Sequence, residues 1–155
     1  MNIVQILLEA FWSGIAALGF ALLFNVPRRT LFACFLFGAM GNTVKFMILH
    51  FGINIGFATL SGAALVGFLG VGFSKKLYAP PPVLSIPGII PMIPGTFAYK
   101  AMIGILKIAT GKLQTDPDLI RFTVLNGTQT MIILIAISIG IAIPNLLFAR
   151  KKPVV

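Results

Sequence analysis

Four ionisable residues lie inside long apolar runs: Glu9, Lys45, Lys100 and Lys107. A charge at the centre of a bilayer costs roughly 2.5–3.5 kcal/mol on insertion scales, so such residues face a bundle interior or an aqueous cavity and mark candidate pathways. Three lysines against one glutamate suit a small organic anion; a zwitterionic amino acid would need a better-balanced site, to which a partner could add acids. Depth tempers this. Lys45 stands near His50 and Lys107 near Lys112, close enough for both ammonium groups to snorkel to an interface. Lys100 is nearer the opposite interface unless the segment before it dips into the membrane. Glu9 is read most simply as the structural partner of one of these lysines.

The stretch Ile86-Pro87-Gly88-Ile89-Ile90-Pro91-Met92-Ile93-Pro94-Gly95-Thr96 is the most informative. Pro94-Gly95-Thr96 closes an irregular segment and opens a helix, whose first N–H groups and positive dipole end point back into the segment. Lys100 follows within about one or two turns. Together they form a candidate anion site of the kind that discontinuous transporter helices offer a carboxylate. A polar patch of Thr123, Asn126, Gln129 and Thr130 adds amides and hydroxyls that either bind helices together or line a pathway. Gly56, Thr59, Ala63, Gly67, Gly70 and Ser74 recur in steps of three and four, a small-residue face for internal packing or for a partner, a second copy of the chain included.

Enzymatic chemistry lacks parts. One His, one Cys and three acids give no cluster with metal-ligand spacing and no acid–base pair, so no catalytic residue, metal or cofactor is expected. No glycine-rich phosphate loop follows a strand, which excludes ATP-driven transport within this chain. Asp116 and Asp118 flank Pro117 as an N-cap and first-turn acid, which accounts for both carboxylates without a metal. Asn126-Gly127-Thr128 has the glycosylation pattern but falls inside an apolar span.

The elements that must hold these residues are membrane helices. The chain of 155 residues is 58% hydrophobic and only 10% charged, where soluble domains run near 25%. Apolar segments run from about Ile3 to Phe24, Thr30 to Leu49, Asn54 to Phe73, Thr96 to Gly111 and Pro117 to Phe148. Runs of about 20 such residues match a hydrocarbon core about 30 Å thick. The expected fold is all-α: a single transmembrane domain over residues 1–155 with about five spans. Before the fourth span, Val83–Gly95 reads as a broken helix or re-entrant loop entered from the cytoplasm, with an interfacial linker as the alternative.

The net charge of +9 sits at the ends of the apolar runs, which points to headgroups and not to nucleic acid. With five crossings Arg28, Arg29, Lys75, Lys76, Arg150, Lys151 and Lys152 share one side, while Lys112 and Arg121 on the other are offset by Asp116 and Asp118. The first side is then cytoplasmic, placing the N-terminus in the periplasm and the C-terminus in the cytoplasm. Met1–Leu8 has no basic stretch, so a cleaved leader is not expected. Cys34 stands alone and says nothing about compartment.

A series of short motifs carries a resemblance over nearly the whole chain. They are Asn25-Val26-Pro27-Arg28, Gly52-Ile53-Asn54-Ile55, Ile90-Pro91-Met92-Ile93-Pro94-Gly95, Ala98-Tyr99-Lys100-Ala101-Met102-Ile103 and the tail from Ile143-Pro144 to Arg150-Lys151-Lys152-Pro153. In order and spacing the chain resembles the small subunit of the bacterial threonine/serine exporter family. The resemblance implies an inner-membrane protein that works with a larger membrane subunit of the same family. It also implies export of succinate or, in relatives, of threonine and serine. By the same token Pro91, Pro94, Gly95 and Tyr99 are the residues to carry over as the substrate path, whereas Lys100 is not a family feature. Two readings follow: a transporting subunit that moves a small organic anion or amino acid outward, and an accessory subunit that only stabilises or gates its partner.

Overall fold

The protein is described by a computed structural model covering residues 3–111 and 117–148. Six α-helices succeed one another: α1 (Ile3–Leu23), α2 (Leu31–His50), α3 (Ile55–Leu77), α4 (Pro81–Ile89), α5 (Gly95–Ala109) and α6 (Pro117–Phe148). Short 3-10 turns at Arg28–Thr30 and Ile90–Met92 precede α2 and follow α4. Among the described residues every regular element is helical. Four helices, α1, α2, α3 and α6, are long and apolar enough to cross a membrane, and α4 with α5 makes a broken pair that supplies a fifth span or a re-entrant loop. The all-α, multi-pass expectation holds. Asp116 as N-cap, Lys112, and the basic tail Arg150, Lys151 and Lys152 lie outside the described residues.

Local chemistry sets the boundaries. Beyond α1, Asn25 takes the left-handed conformation (φ 53°), the Val26 N–H returns to the Ala21 carbonyl at 3.0 Å, and Pro27 prevents continuation. Asn54 caps α3 by accepting from the Gly56 N–H at 2.9 Å. That helix outruns the apolar stretch ending at Phe73 by one turn, because Lys75 and Lys76 sit favourably at the negative end of its dipole. Tyr78, also left-handed (φ 49°), ends it. Pro81 at the first position of α4 costs nothing, since its missing N–H would have had no helical partner.

The chain forms two compact units. The first holds α1 to α4 and α6 from Ala136 onward. Here α4 packs against α1, α2 and α3, with Leu84, Ser85, Pro87, Gly88 and Ile89 buried. That burial favours the broken-helix reading of this segment over an interfacial linker, since irregular backbone at membrane depth survives where protein surrounds it. Pro87 cannot donate to the Val83 carbonyl, and the Cys34 thiol of α2 stands 4.0 Å from that oxygen and 3.9 Å from the Leu84 carbonyl. Gly70 leaves room for the Ser85 hydroxyl, which donates to the Pro81 carbonyl at 3.0 Å.

The small-residue face of α3 is an internal packing surface. A side chain on Gly140 would start 2.7 Å from Ala63 Cβ, and one on Gly67 would start 3.0 Å from Pro144 Cγ and 3.1 Å from the Gly140 carbonyl. In lipid, where burying apolar surface gives helices no net attraction, such close backbone approach is what holds them. The second unit, α5 with α6 up to Ile135, is built the same way: the Thr123 hydroxyl fills the space over Gly104, and Ala101 faces Gly127.

Candidate functional site

The break in the α4–α5 pair falls at Ile93-Pro94, and a side chain of α2 reaches the Met92 carbonyl that precedes it. On that helix Gly38, Gly41, Asn42 and Lys45 share one face by their spacing of three, four and seven. Gly38 packs on Ala17 of α1, and Gly41 has Met92 Cε and Val66 Cγ2 where its side chain would begin. These two contacts bring the 3-10 turn and α3 close enough for the polar members of the face to find partners. Lys45 Nζ donates to the Met92 carbonyl at 3.3 Å. That oxygen lies at the C-terminal end of the 3-10 turn, where carbonyls lack a following N–H and the dipole favours a cation. One turn earlier, Asn42 Nδ2 donates to Ser13 Oγ of α1 at 2.5 Å, while Asn42 Oδ1 is buried and has no hydrogen-bond partner among the described residues.

Of the sequence candidates, then, Lys45 meets the proline-glycine segment. It is half-buried, and it is directed into the bundle instead of snorkelling away. Pro91 is half-buried and Pro94 buried. Gly95 is exposed, with open space where a side chain would stand, so close packing does not explain a glycine there. Its N–H is already spent on the Ile93 carbonyl at 2.9 Å, and Ala98 donates to the Pro94 carbonyl at 3.0 Å. The start of α5 accordingly offers fewer free donors than the sequence suggested. Tyr99, Lys100 and Lys107 are exposed on α5.

Glu9 is exposed on α1 and pairs with no lysine among the described residues. The polar patch is largely self-satisfied: Asn126 Nδ2 donates to the Phe122 carbonyl at 2.7 Å and Thr130 Oγ1 to the Asn126 carbonyl at 2.8 Å, both within α6. Those bonds turn one amide N–H and one hydroxyl back on their own helix. Gln129 is half-buried and bonds to none of the described residues. Two apolar grooves of about 660 and 360 Å³ flank the start of α4, one lined by Ser74, Lys75 and Tyr78, the other by Phe24, Val83 and Ile86. Neither includes the Asn42–Lys45 face.

Asn42 and Ser13 stand out less in the sequence than the clustered polar residues of Pro117–Phe148, because they lie in two different apolar runs. An amide three residues from Lys45, in mid-span, was the available signal.

A helical multi-pass protein that buries a proline-broken helix and sends a lysine to the carbonyl at the break is built as solute transporters are built. The chain belongs to the family described as Threonine/Serine exporter, ThrE, which it matches over residues 9–147. It is also 40% identical over 152 residues to an uncharacterized protein of Haemophilus influenzae, an alignment covering 98% of this chain and 50% of that protein. The chain thus spans about half the length of this curated relative. No solved structure matches it. Family membership and the helices together make it a multi-pass membrane protein with a role in transport.

Proposed function

We propose that the chain is one subunit of an exporter of small carboxylates, succinate-like or threonine and serine, in a bacterial inner membrane. The observation that carries this is the Lys45 ammonium held on the Met92 carbonyl at the break. A lysine so placed can leave a neutral carbonyl for a substrate carboxylate, a stronger acceptor, at little cost in geometry. The proline-glycine segment, Pro91, Pro94 and Gly95 with Tyr99 and Lys100 after it, forms a stretch of the substrate path. No covalent chemistry is required, and the chain is not an enzyme.

It works with a larger membrane subunit. One observation supports a companion: Glu9 is an exposed carboxylate within a membrane helix. The basic ends of the helices support a periplasmic N-terminus and a cytoplasmic C-terminus.

Reconstitution of the chain and the larger subunit, singly and together, tests the proposal. Efflux of a small carboxylate from vesicles should require both. Full efflux from the larger subunit alone would make this chain an accessory.

A further inference from the structure

The unpaired Asn42 oxygen is not used by the account above. Asn42 is 6% exposed, and its amide nitrogen is committed to Ser13, yet Oδ1 has no partner among the described residues. A buried polar oxygen without a donor is costly, and few native structures keep one without a use. Its surroundings are specific. Lys45 lies three positions along the same face of α2, which puts the two Cβ atoms about 5–6 Å apart. Met92 lies next to this face: its side chain lies against Gly41 and its carbonyl accepts from Lys45.

We infer that Asn42 is the specificity-determining residue of a buried subsite, where its free oxygen accepts a hydrogen bond from a donor group carried beside the substrate's carboxylate. When the Lys45–Met92 bond is exchanged for one between Lys45 and the carboxylate, the substrate is brought beside Asn42, three positions away on the same face of α2. The carboxylate is then held by the ammonium, and an ammonium or hydroxyl on the neighbouring carbon is within reach of Oδ1 at ordinary hydrogen-bond length. A dicarboxylate such as succinate brings only acceptors. It would set a carboxylate against Asn42 Oδ1 and the Met92 carbonyl, both acceptors themselves. The inference rests on the exporter reading and deepens it, assigning discrimination among carboxylates to one amide.

The test is efflux of L-serine and of succinate from vesicles holding the chain and its larger subunit, wild type against Asn42→Leu at matched protein levels. Leucine keeps much of the volume and removes every polar atom. Serine efflux should fall at least about tenfold, the loss expected when a buried hydrogen bond to a charged group is removed, with succinate efflux within about twofold of wild type. Equal losses for both, no loss for either, or a wild type that moves succinate alone would overturn the inference. Should Asn42→Leu fail to insert, Asn42→Ala is subject to the same criteria. A wild type that moves neither compound would defeat the exporter reading, and the subsite is then decided by binding. L-serine should raise the thermal midpoint of the purified wild-type chain and leave that of the variant unchanged; no shift in the wild type would overturn it.

Discussion

Replacing Gly67 by leucine should destabilise the first unit, whereas the same replacement at Gly72, on the same helix, should be harmless. At Gly67 the first added carbon would stand 3.0 Å from Pro144 Cγ, 3.1 Å from the Gly140 carbonyl and 3.3 Å from Ile141 Cα. Two of these three are backbone, and the third belongs to a rigid ring, so none can swing aside. Inserting extra carbons into a well-packed interior costs about 1–3 kcal/mol when neighbours can shift. Here one methyl already claims that range, and leucine adds three more carbons. We therefore expect at least about 3 kcal/mol for Gly67→Leu, on the order of a hundredfold in the folding equilibrium. Gly72 has nothing within 4 Å of the corresponding position, and glycine is a poor helix former by about 0.5–1 kcal/mol, so Gly72→Leu should be neutral or mildly stabilising. Denaturant titration of both variants in nanodiscs, followed by helical circular dichroism, supplies the comparison. Equal midpoints would refute the claim that α3 and the second part of α6 are joined through this glycine contact.

The second unit allows a rescue experiment. Gly104→Val should destabilise it by about 1–3 kcal/mol by colliding with the Thr123 side chain, and adding Thr123→Ala should recover much of that loss; additive losses would show that the two residues do not touch. Orientation is open to labelling: in a Cys34→Ser background, a cysteine at Lys76 should react only with a reagent admitted to the cytoplasmic side, and reaction from the periplasm alone would reverse the assignment.

Much of the fold was legible because lipid imposes one simple requirement. Apolar runs of sufficient length become helices, and prolines and charges end them, so five segments are legible in the sequence and the last, Pro117–Phe148, coincides with α6. What composition could not reveal was which carbonyl a proline orphans and who answers it. The approach of Cys34 to Val83 and Leu84 depends on a contact between residues some fifty positions apart. The site was half legible for the same reason. The proline-glycine break could be read, but three lysines, Lys45, Lys100 and Lys107, lay inside apolar runs, and Lys100 looked better because it is near the break in sequence. Lys45 reaches it through space, across helices brought close by Gly38 and Gly41. Side-chain amides and hydroxyls were harder still. Asn126 looked functional and bonds to its own helix, whereas Asn42, unremarked in sequence, has the unpaired oxygen.

The central claim is that the Lys45 ammonium at the broken helix receives the substrate carboxylate. The most direct measurement is the initial rate of carboxylate efflux from vesicles containing both subunits, with Lys45→Gln, Lys45→Arg and Lys100→Gln compared with wild type at equal protein content. A hydrogen bond to a charged group is worth about 1.5–3 kcal/mol, so Lys45→Gln should slow efflux by roughly ten- to a hundredfold, with Lys45→Arg retaining more activity because it keeps the charge. Lys100→Gln, on an exposed position, should lose less than Lys45→Gln. Wild-type efflux from Lys45→Gln would contradict the account.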